Sequence, residues 1–334
     1  QYQLITMEIC IRISDLLQHK GELNHALNIL ESSIDLTSDH DPEDATLMRK
    51  IESVQGMLEM LRGEIPDIIP VKGIKNKPRR VLYLLHNSLP YNSGGYAART
   101  QGLLTGIRQN KWDIHAVSRY GYPWDLKQFS TEPELLDDEI EGVPYHRLPA
   151  HGGGYGSMPT RAYLNKYLEC LIEKCKVLQP MIIHGVSNYM NGFAAVQAAK
   201  SIGVKSVYEV RGLWEITRIS RQPEWKGSDF YQYMVHMETW ACKEADAVIT
   251  ITEALKTELI KRGVDGSKIT IVHNGVHPQR FTPRGPDQEL KSKLGLGDEV
   301  VIGYIGSIVS YEGLELLVEA SDILEKSNVD GFKF

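Results

Sequence analysis

Two periods of apolar residues divide the chain. From residue 1 to about 65 the period is helical. Leu47, Ile51, Val54, Leu58 and Leu61 step by four and three along one face, and Leu23, Ala26, Leu27, Leu30 and Ile34 form a second stripe. Asp41-Pro42-Glu43-Asp44 offers an N-cap, a proline at the first helical position and early acids, so a helix is predicted to start there. An α-helical hairpin over 1–65 follows, and its apolar stripes must be covered by a neighbour.

From Val81 the pattern becomes short β-rich runs separated by helical stretches. Strands are predicted at 81–86, 113–117, 181–184, 206–210, 247–252 and 269–272, with helices near 97–108, 161–178, 192–199, 231–244 and 253–262. Strands joined by helices of ten or more residues need crossover connections, which build a mostly parallel sheet with helices on both faces. The fold class is therefore α/β, a doubly wound parallel sheet preceded by a helical hairpin or repeat. Ligands of such sheets sit beyond the carboxyl ends of the strands. The loops after His86, His184, Val210 and Thr252 become the candidates.

Between the two patterns, 66–80 carries Gly, Pro and isolated apolar residues and reads as a linker. Lys72, Lys75, Lys77, Arg79 and Arg80 gather at its end, either as solvated charge or as a weak contact with an anionic membrane surface. The segment Gly21-Glu22-Leu23-Asn24-His25-Ala26-Leu27 resembles the middle of a tetratricopeptide-type repeat. That leaves open a protein contact through the N-terminal helices.

Composition narrows the class. The 334 residues are 42% hydrophobic and 24% charged with net charge −6, so no basic field points to nucleic acid. Cys10, Cys170, Cys175 and Cys242 show no metal or disulfide spacing, and no leader or membrane span is legible, so a soluble cytoplasmic protein with reduced thiols and no metal site is expected.

The loops carry the chemistry. Ser93-Gly94-Gly95-Tyr96 lies between a strand and a helix start, where backbone N–H groups and the helix dipole can meet a phosphate. Glycines there let a ligand approach closely and permit positive φ. After the third strand come His184-Gly185-Val186-Ser187-Asn188-Tyr189, and after the fourth Glu209-Val210-Arg211-Gly212-Leu213-Trp214-Glu215. An Arg fork between two acids can hold an anionic or polyhydroxylated ligand, or Glu209 and Arg211 can simply pair and fix the loop. His184 is equally a core histidine or a functional one.

These segments, together with 245–252, Asn274-Gly275-Val276, Ile302-Gly303-Tyr304-Ile305-Gly306-Ser307 and Tyr311-Glu312-Gly313-Leu314, resemble in order and spacing the retaining glycosyltransferases of family 4. The resemblance covers residues from about Val81 to the end. It implies the GT-B architecture, two Rossmann-like domains across a cleft. Residues 81–277 would be the acceptor-side domain, 278–298 the connection and 299–334 the start of a donor-side domain.

The resemblance implies transfer of a sugar from a nucleotide-diphosphate sugar to a carbohydrate or small-molecule acceptor, with retention and without a metal or other cofactor. His184, Asn188, Glu209 and Arg211 become the catalytic candidates. Gly94, Gly95, Tyr96, Gly306 and Ser307 would face the donor, and Ser187, Tyr189 and Glu215 would face substrate. Three departures stand out. Val186 fills the second position of the family's His-x-His, Ser307 and Glu312 stand where two cations are usual, and no Glu-x7-Glu follows. A truncated second domain, and a chain inactive by itself, are expected. The alternative is a non-catalytic GT-B-like scaffold beside a helical interaction segment.

Overall fold

In a computed structural model, residues 2–34, 42–150, 154–306, 308 and 312–334 are described, with backbone alone for 2–6, 42–44 and 280. The Asp41 cap, Ser307, Tyr311 and most of the glycine run 152–154 lie outside the described residues. The chain forms two units, Gln1–Ile219 with Glu224–Asn274, and Ser220–Pro223 with Gly275–Phe334.

The first unit begins with three helices, α1 (Tyr2–Lys20), α2 (Leu23–Ser32) and α3 (Pro42–Leu61). The α/β part follows: β1 (Arg80–Leu85), α4 (Gly95–Gln109), β2 (Asp113–Tyr120), β3 (Asp137–Ile140), β4 (Val143–Leu148), α5 (Thr160–Leu178) and β5 (Ile182–Val186). It continues through α6 (Tyr189–Ile202), β6 (Lys205–Val210), α7 (Trp214–Ile219), α8 (Asp229–Glu244), β7 (Ala247–Thr250), α9 (Glu253–Lys261) and β8 (Ile269–Ile271).

The sheet runs β3-β4-β2-β1-β5-β6-β7-β8. Every pair is parallel except β3 with β4. The chain leaves β1 toward β2 on one side and returns to β5 on the other, so the switch point of this doubly wound sheet lies between β1 and β5. Both faces are covered, which explains the unbroken apolar run of β1. Val81, Tyr83 and Leu85 face Leu104 of α4, while Leu82 and Leu84 join the core of Leu171 and Phe193 from α5 and α6.

The helical stripes predicted for the N-terminus find their cover in that second core. Leu23, Leu30, Leu47, Ile51 and Val54 are buried in one cluster with Tyr163, Tyr167, Met190 and Met237. Polar contacts fix the docking. Arg161 pairs with Glu59, Asn24 N donates to Asp229 Oδ2 at 2.9 Å, and Phe230 N donates to Gly21 O at 3.0 Å. Gly21 has φ +86°, and a Cβ there would lie 2.1 Å from Ser228 Oγ, so only glycine closes the α1–α2 turn against α8.

Segment 66–80 crosses the amino ends of the strands rather than hanging free. Val71 N donates to Ser201 O at 2.7 Å, Lys77 N to Gln179 O at 2.8 Å, and Arg80 Nε to Asp113 Oδ2 at 2.6 Å. The sequence pattern missed β3, β4 and α7. Strand β3 is a largely exposed edge strand with three acids in four residues, and β4 has a proline in its second position, so neither carries the usual signal.

The second unit contains α10 (Gln288–Lys293), β9 (Val300–Val301), α11 (Leu314–Lys326) and β10 (Phe332–Lys333), with β9 and β10 parallel. Ile305, Leu316, Val318 and Ile323 are exposed in it.

Candidate functional site

Strand register places the first chemistry at the switch point. Tyr83 of β1 sits opposite His184 of β5, and Glu209 of β6 follows two residues beyond Val207, the partner of His184. Side chains two apart share a face, so Tyr83, His184 and Glu209 meet. Their rings confirm it: the Tyr83 and His184 centroids are 4.2 Å apart.

Glu209, 2% exposed, is the hub. Its Oε2 accepts from the Tyr83 hydroxyl and lies 3.1 Å from His184 Nε2. Its Oε1 accepts from Arg211 Nε at 2.8 Å and Arg99 Nη2 at 3.1 Å. Burial opposes the carboxylate, but hydrogen bonds from His184 and Arg211 and the guanidinium charge outweigh it and hold the carboxyl far below the usual range. A carboxylate only accepts, so the His184 nitrogen facing it carries the proton. Burial also opposes charge on Arg211, and Tyr83 and Glu209 more than restore it.

Arg211 extends the network to the glycine loop. Its Nη1 donates to Thr100 Oγ1 at 2.7 Å and to Tyr96 O at 3.2 Å, and its guanidinium lies 4.9 Å from the Tyr96 ring centroid. Tyr96 in turn donates its hydroxyl to Ser187 O at 3.1 Å and accepts from His86 N at 3.4 Å. Ser187 Oγ accepts from Arg211 N at 3.2 Å. With two guanidiniums around one carboxylate, the cluster is net cationic beside the start of α4.

That helix start is open. Gly94 is the N-cap with φ −62° and no side-chain cap, so positive φ is not why glycine stands there. Gly94 and Gly95 are exposed, and a Cβ on Gly95 would meet nothing within 4 Å. The glycines leave room in front of unsatisfied helical N–H groups. Arg147 pins the approach to them: its Nη2 donates to Leu89 O at 2.8 Å and its Nη1 to Ser88 Oγ at 2.5 Å.

The remaining sequence candidates part from this cluster. Glu215 lies in the first turn of α7 rather than ending a loop, is 1% exposed, and accepts from Arg262 Nη1 at 2.6 Å. Tyr189 is a core side chain on the first turn of α6, edge-on to Tyr233 at 5.6 Å between centroids. Asn188 caps α6, buried, and lines a cavity beside it. Gly306 belongs to the second unit. Tyr83, His86, Arg99 and Thr100 join the site without having stood out in the sequence. Tyr83 and His86 are the polar-capable positions of the run 81–86, and Arg99 lies one turn into the helix that Gly95 begins. His86 is half-buried, and burial with the nearby Arg119 charge pushes its imidazole down to about 3.

Comparison with known proteins fits this geometry. The glycosyl transferase 4-like domain family matches residues 94–275, more than half of the chain. The chain is similar to the D-inositol 3-phosphate glycosyltransferase of Stackebrandtia nassauensis, 29% identical over 203 residues that cover 57% of this chain and 43% of that protein. It is also similar to the capsular polysaccharide biosynthesis glycosyltransferase CapM of Staphylococcus aureus, 26% identical over 67% of this chain and 53% of CapM. The chain thus spans about half the length of the curated relatives it matches. Among solved structures, Anabaena HepE in complex with UDP-glucose aligns with TM-score 0.50 at 13% identity, covering 72% of this chain and 57% of that one. The fold is a GT-B-like half domain behind N-terminal helices. The chain belongs to the glycosyl transferase 4-like domain family.

Proposed function

We propose that this chain is the acceptor-side part of an enzyme that transfers a sugar from a nucleotide-diphosphate sugar to an acceptor with retention at the anomeric carbon, and that it is inactive without a donor-binding half. The observation that carries this reading is the open N-terminus of α4 at Gly94 and Gly95, set beside Arg99 and Arg211 at the β1–β5 switch point. Helix N–H groups and the helix dipole suit a diphosphate, and the cationic cluster adds to that field without a metal ion. Gly306 and Ser307 fall to the donor side of the same reading.

In this arrangement each oxygen of Glu209 receives two donors. A carboxylate saturated in this way is a poor nucleophile and a good anchor. We therefore assign Glu209 to orienting His184, Arg99 and Arg211, and leave Ser187, Asn188 and Tyr189 to the acceptor side. Free thiols at Cys10, Cys170, Cys175 and Cys242 accord with a reducing, cytoplasmic setting. No described helix is long and apolar enough to cross a membrane. A protein partner at the N-terminal helices would meet the exposed Ile9, Ile13 and Leu16 rather than the buried stripes.

The test incubates this chain, and the chain joined to its donor-side continuation, with a panel of nucleotide-diphosphate sugars with and without EDTA. Nucleotide diphosphate release and sugar transfer are followed by chromatography. The longer protein is expected to turn over in EDTA and this chain to be silent. A longer protein silent on the whole panel would overturn the enzyme reading, and loss of activity in EDTA would overturn the metal-free part.

A further inference from the structure

At the start of α6, the first unit holds a half-open cavity of about 450 Å³, part of whose wall comes from outside the family match. Gln18 of α1 and Ser53 and Met57 of α3 line it together with Asn188, Trp214 and Arg218. Its floor is buried, with Trp225, Tyr163 and Tyr189 at 1–3% exposure, while Trp214 and Tyr155 are 38% and 41% exposed and form the rim. The rim reaches the site described above: His86 packs edge-on against both rings, at 4.9 Å and 5.8 Å between centroids, and its backbone N–H meets Tyr96.

The lining has a distinct chemistry. Four methionines, Met57, Met158, Met190 and Met234, and a set of aromatic rings make the walls apolar and adaptable. Arg218 is the one charged residue among the described lining side chains. Its guanidinium lies over the Trp225 ring at 4.9 Å and donates to His19 O at 3.0 Å, with no carboxylate partner among the described residues. Its buried Nε has no hydrogen-bond partner there, and neither has Oδ1 of Asn188, a residue only 2% exposed. Buried polar atoms are normally paired, so these two mark where a ligand's polar groups belong. Gln18, Ser53, Thr160 and the tyrosine hydroxyls add neutral polar groups, but the described lining holds no carboxylate to accept the hydroxyl hydrogens of a carbohydrate.

We propose that this cavity is the acceptor subsite and that it selects a small, largely apolar molecule bearing an acidic group, which Arg218 holds, with a hydrogen-bond donor turned to Asn188. The proposal rests on the acceptor-side reading given above. It makes α1 and α3 determinants of specificity, because they set the depth of the cavity.

Two fluorescent probes with one body test it on the full chain: 1-anilinonaphthalene-8-sulfonate, and neutral N-phenyl-1-naphthylamine, which lacks the sulfonate. The anionic probe should bind at one site per chain, quench tryptophan emission, and bind about 10-fold tighter than the neutral one, as a charge-assisted hydrogen bond allows. Arg218→Gln should erase that preference, Arg218→Lys should restore part of it, and Ser53→Trp should abolish binding of both probes, with circular dichroism checking that each variant folds. Equal affinity for the two probes, binding unchanged in Ser53→Trp, or displacement of the probe by maltose at lower concentration than by a fatty carboxylate would overturn it. None of these readouts needs turnover. A silent transferase assay therefore refutes the enzyme reading alone, and a failed probe titration refutes the subsite alone.

Discussion

Glu209→Gln isolates the contribution of the buried network. Glutamine keeps the shape of the side chain but removes the only carboxylate that Arg99, Arg211, Tyr83 and His184 share. The side chains of Arg211 and Glu209 are 7% and 3% exposed, so water does not replace what is lost. Breaking such a pair from one side leaves uncompensated buried charge and costs about 3–5 kcal/mol. For a unit of this size each kcal/mol lowers the melting temperature by about 2–4 °C, giving a drop of roughly 6–20 °C at pH 7.

The pH dependence carries a second check. The folded carboxyl titrates far below its unfolded value of about 4.3. Its contribution to stability is therefore complete above about pH 5 and is lost as pH falls. Between pH 7 and pH 3.5 the loss is about 1.2 kcal/mol, set by unfolded-state protonation alone. Urea unfolding of both proteins, followed by circular dichroism at several pH values, should show the gap between them narrowing by that amount. A gap under about 1 kcal/mol at pH 7 would show that the network is not stabilising. A gap of constant size down to pH 3.5 would show that the carboxyl is not held in its charged form.

Two further substitutions separate stability from function. Gly95→Leu should change stability by no more than about 0.5 kcal/mol, because a Cβ there meets open space, yet it should lower transfer by the donor-complete protein about 100-fold by occupying the position proposed for the diphosphate; equal turnover would remove the glycine loop from the proposed donor site. Glu238, buried with Tyr208 donating to it at 2.6 Å, has its carboxyl pushed up to about 8 by burial and by Glu215. A raised folded value means that its stability contribution is present at low pH and lost between about pH 4.5 and 8, so Glu238→Gln should gain stability relative to the parent across that window, and thermal melts with parallel pH profiles would refute it.

What the sequence disclosed follows the range of each interaction. Strands β1, β5, β6 and β7 were legible because a doubly covered parallel strand needs apolar residues on both faces, a demand that local sequence records. The network was only half legible for the same reason. Glu209 and Arg211 announce themselves as charges at a strand end, whereas Tyr83 and Arg99 lie 126 and 110 positions away and reach Glu209 only through the register of three strands and one helix.

Glu215 shows the opposite failure. Six residues from Glu209 it reads as part of one charged loop, but the chain enters α7 at Trp214 and pairs the carboxylate with Arg262. One turn of helix decides which carboxylate faces the crevice, and no spacing rule on a single segment encodes it. The cavity behind His86 is less legible still, since Met57 and Met190 share no pattern in sequence and meet only because the N-terminal helices dock on α5, α6 and α8. Function in this unit therefore divides along the same line. On the reading proposed above, the glycine loop that would meet a phosphate is written in a short local motif, whereas the cavity proposed for the acceptor is assembled by tertiary packing of the N-terminal helices on α5, α6 and α8.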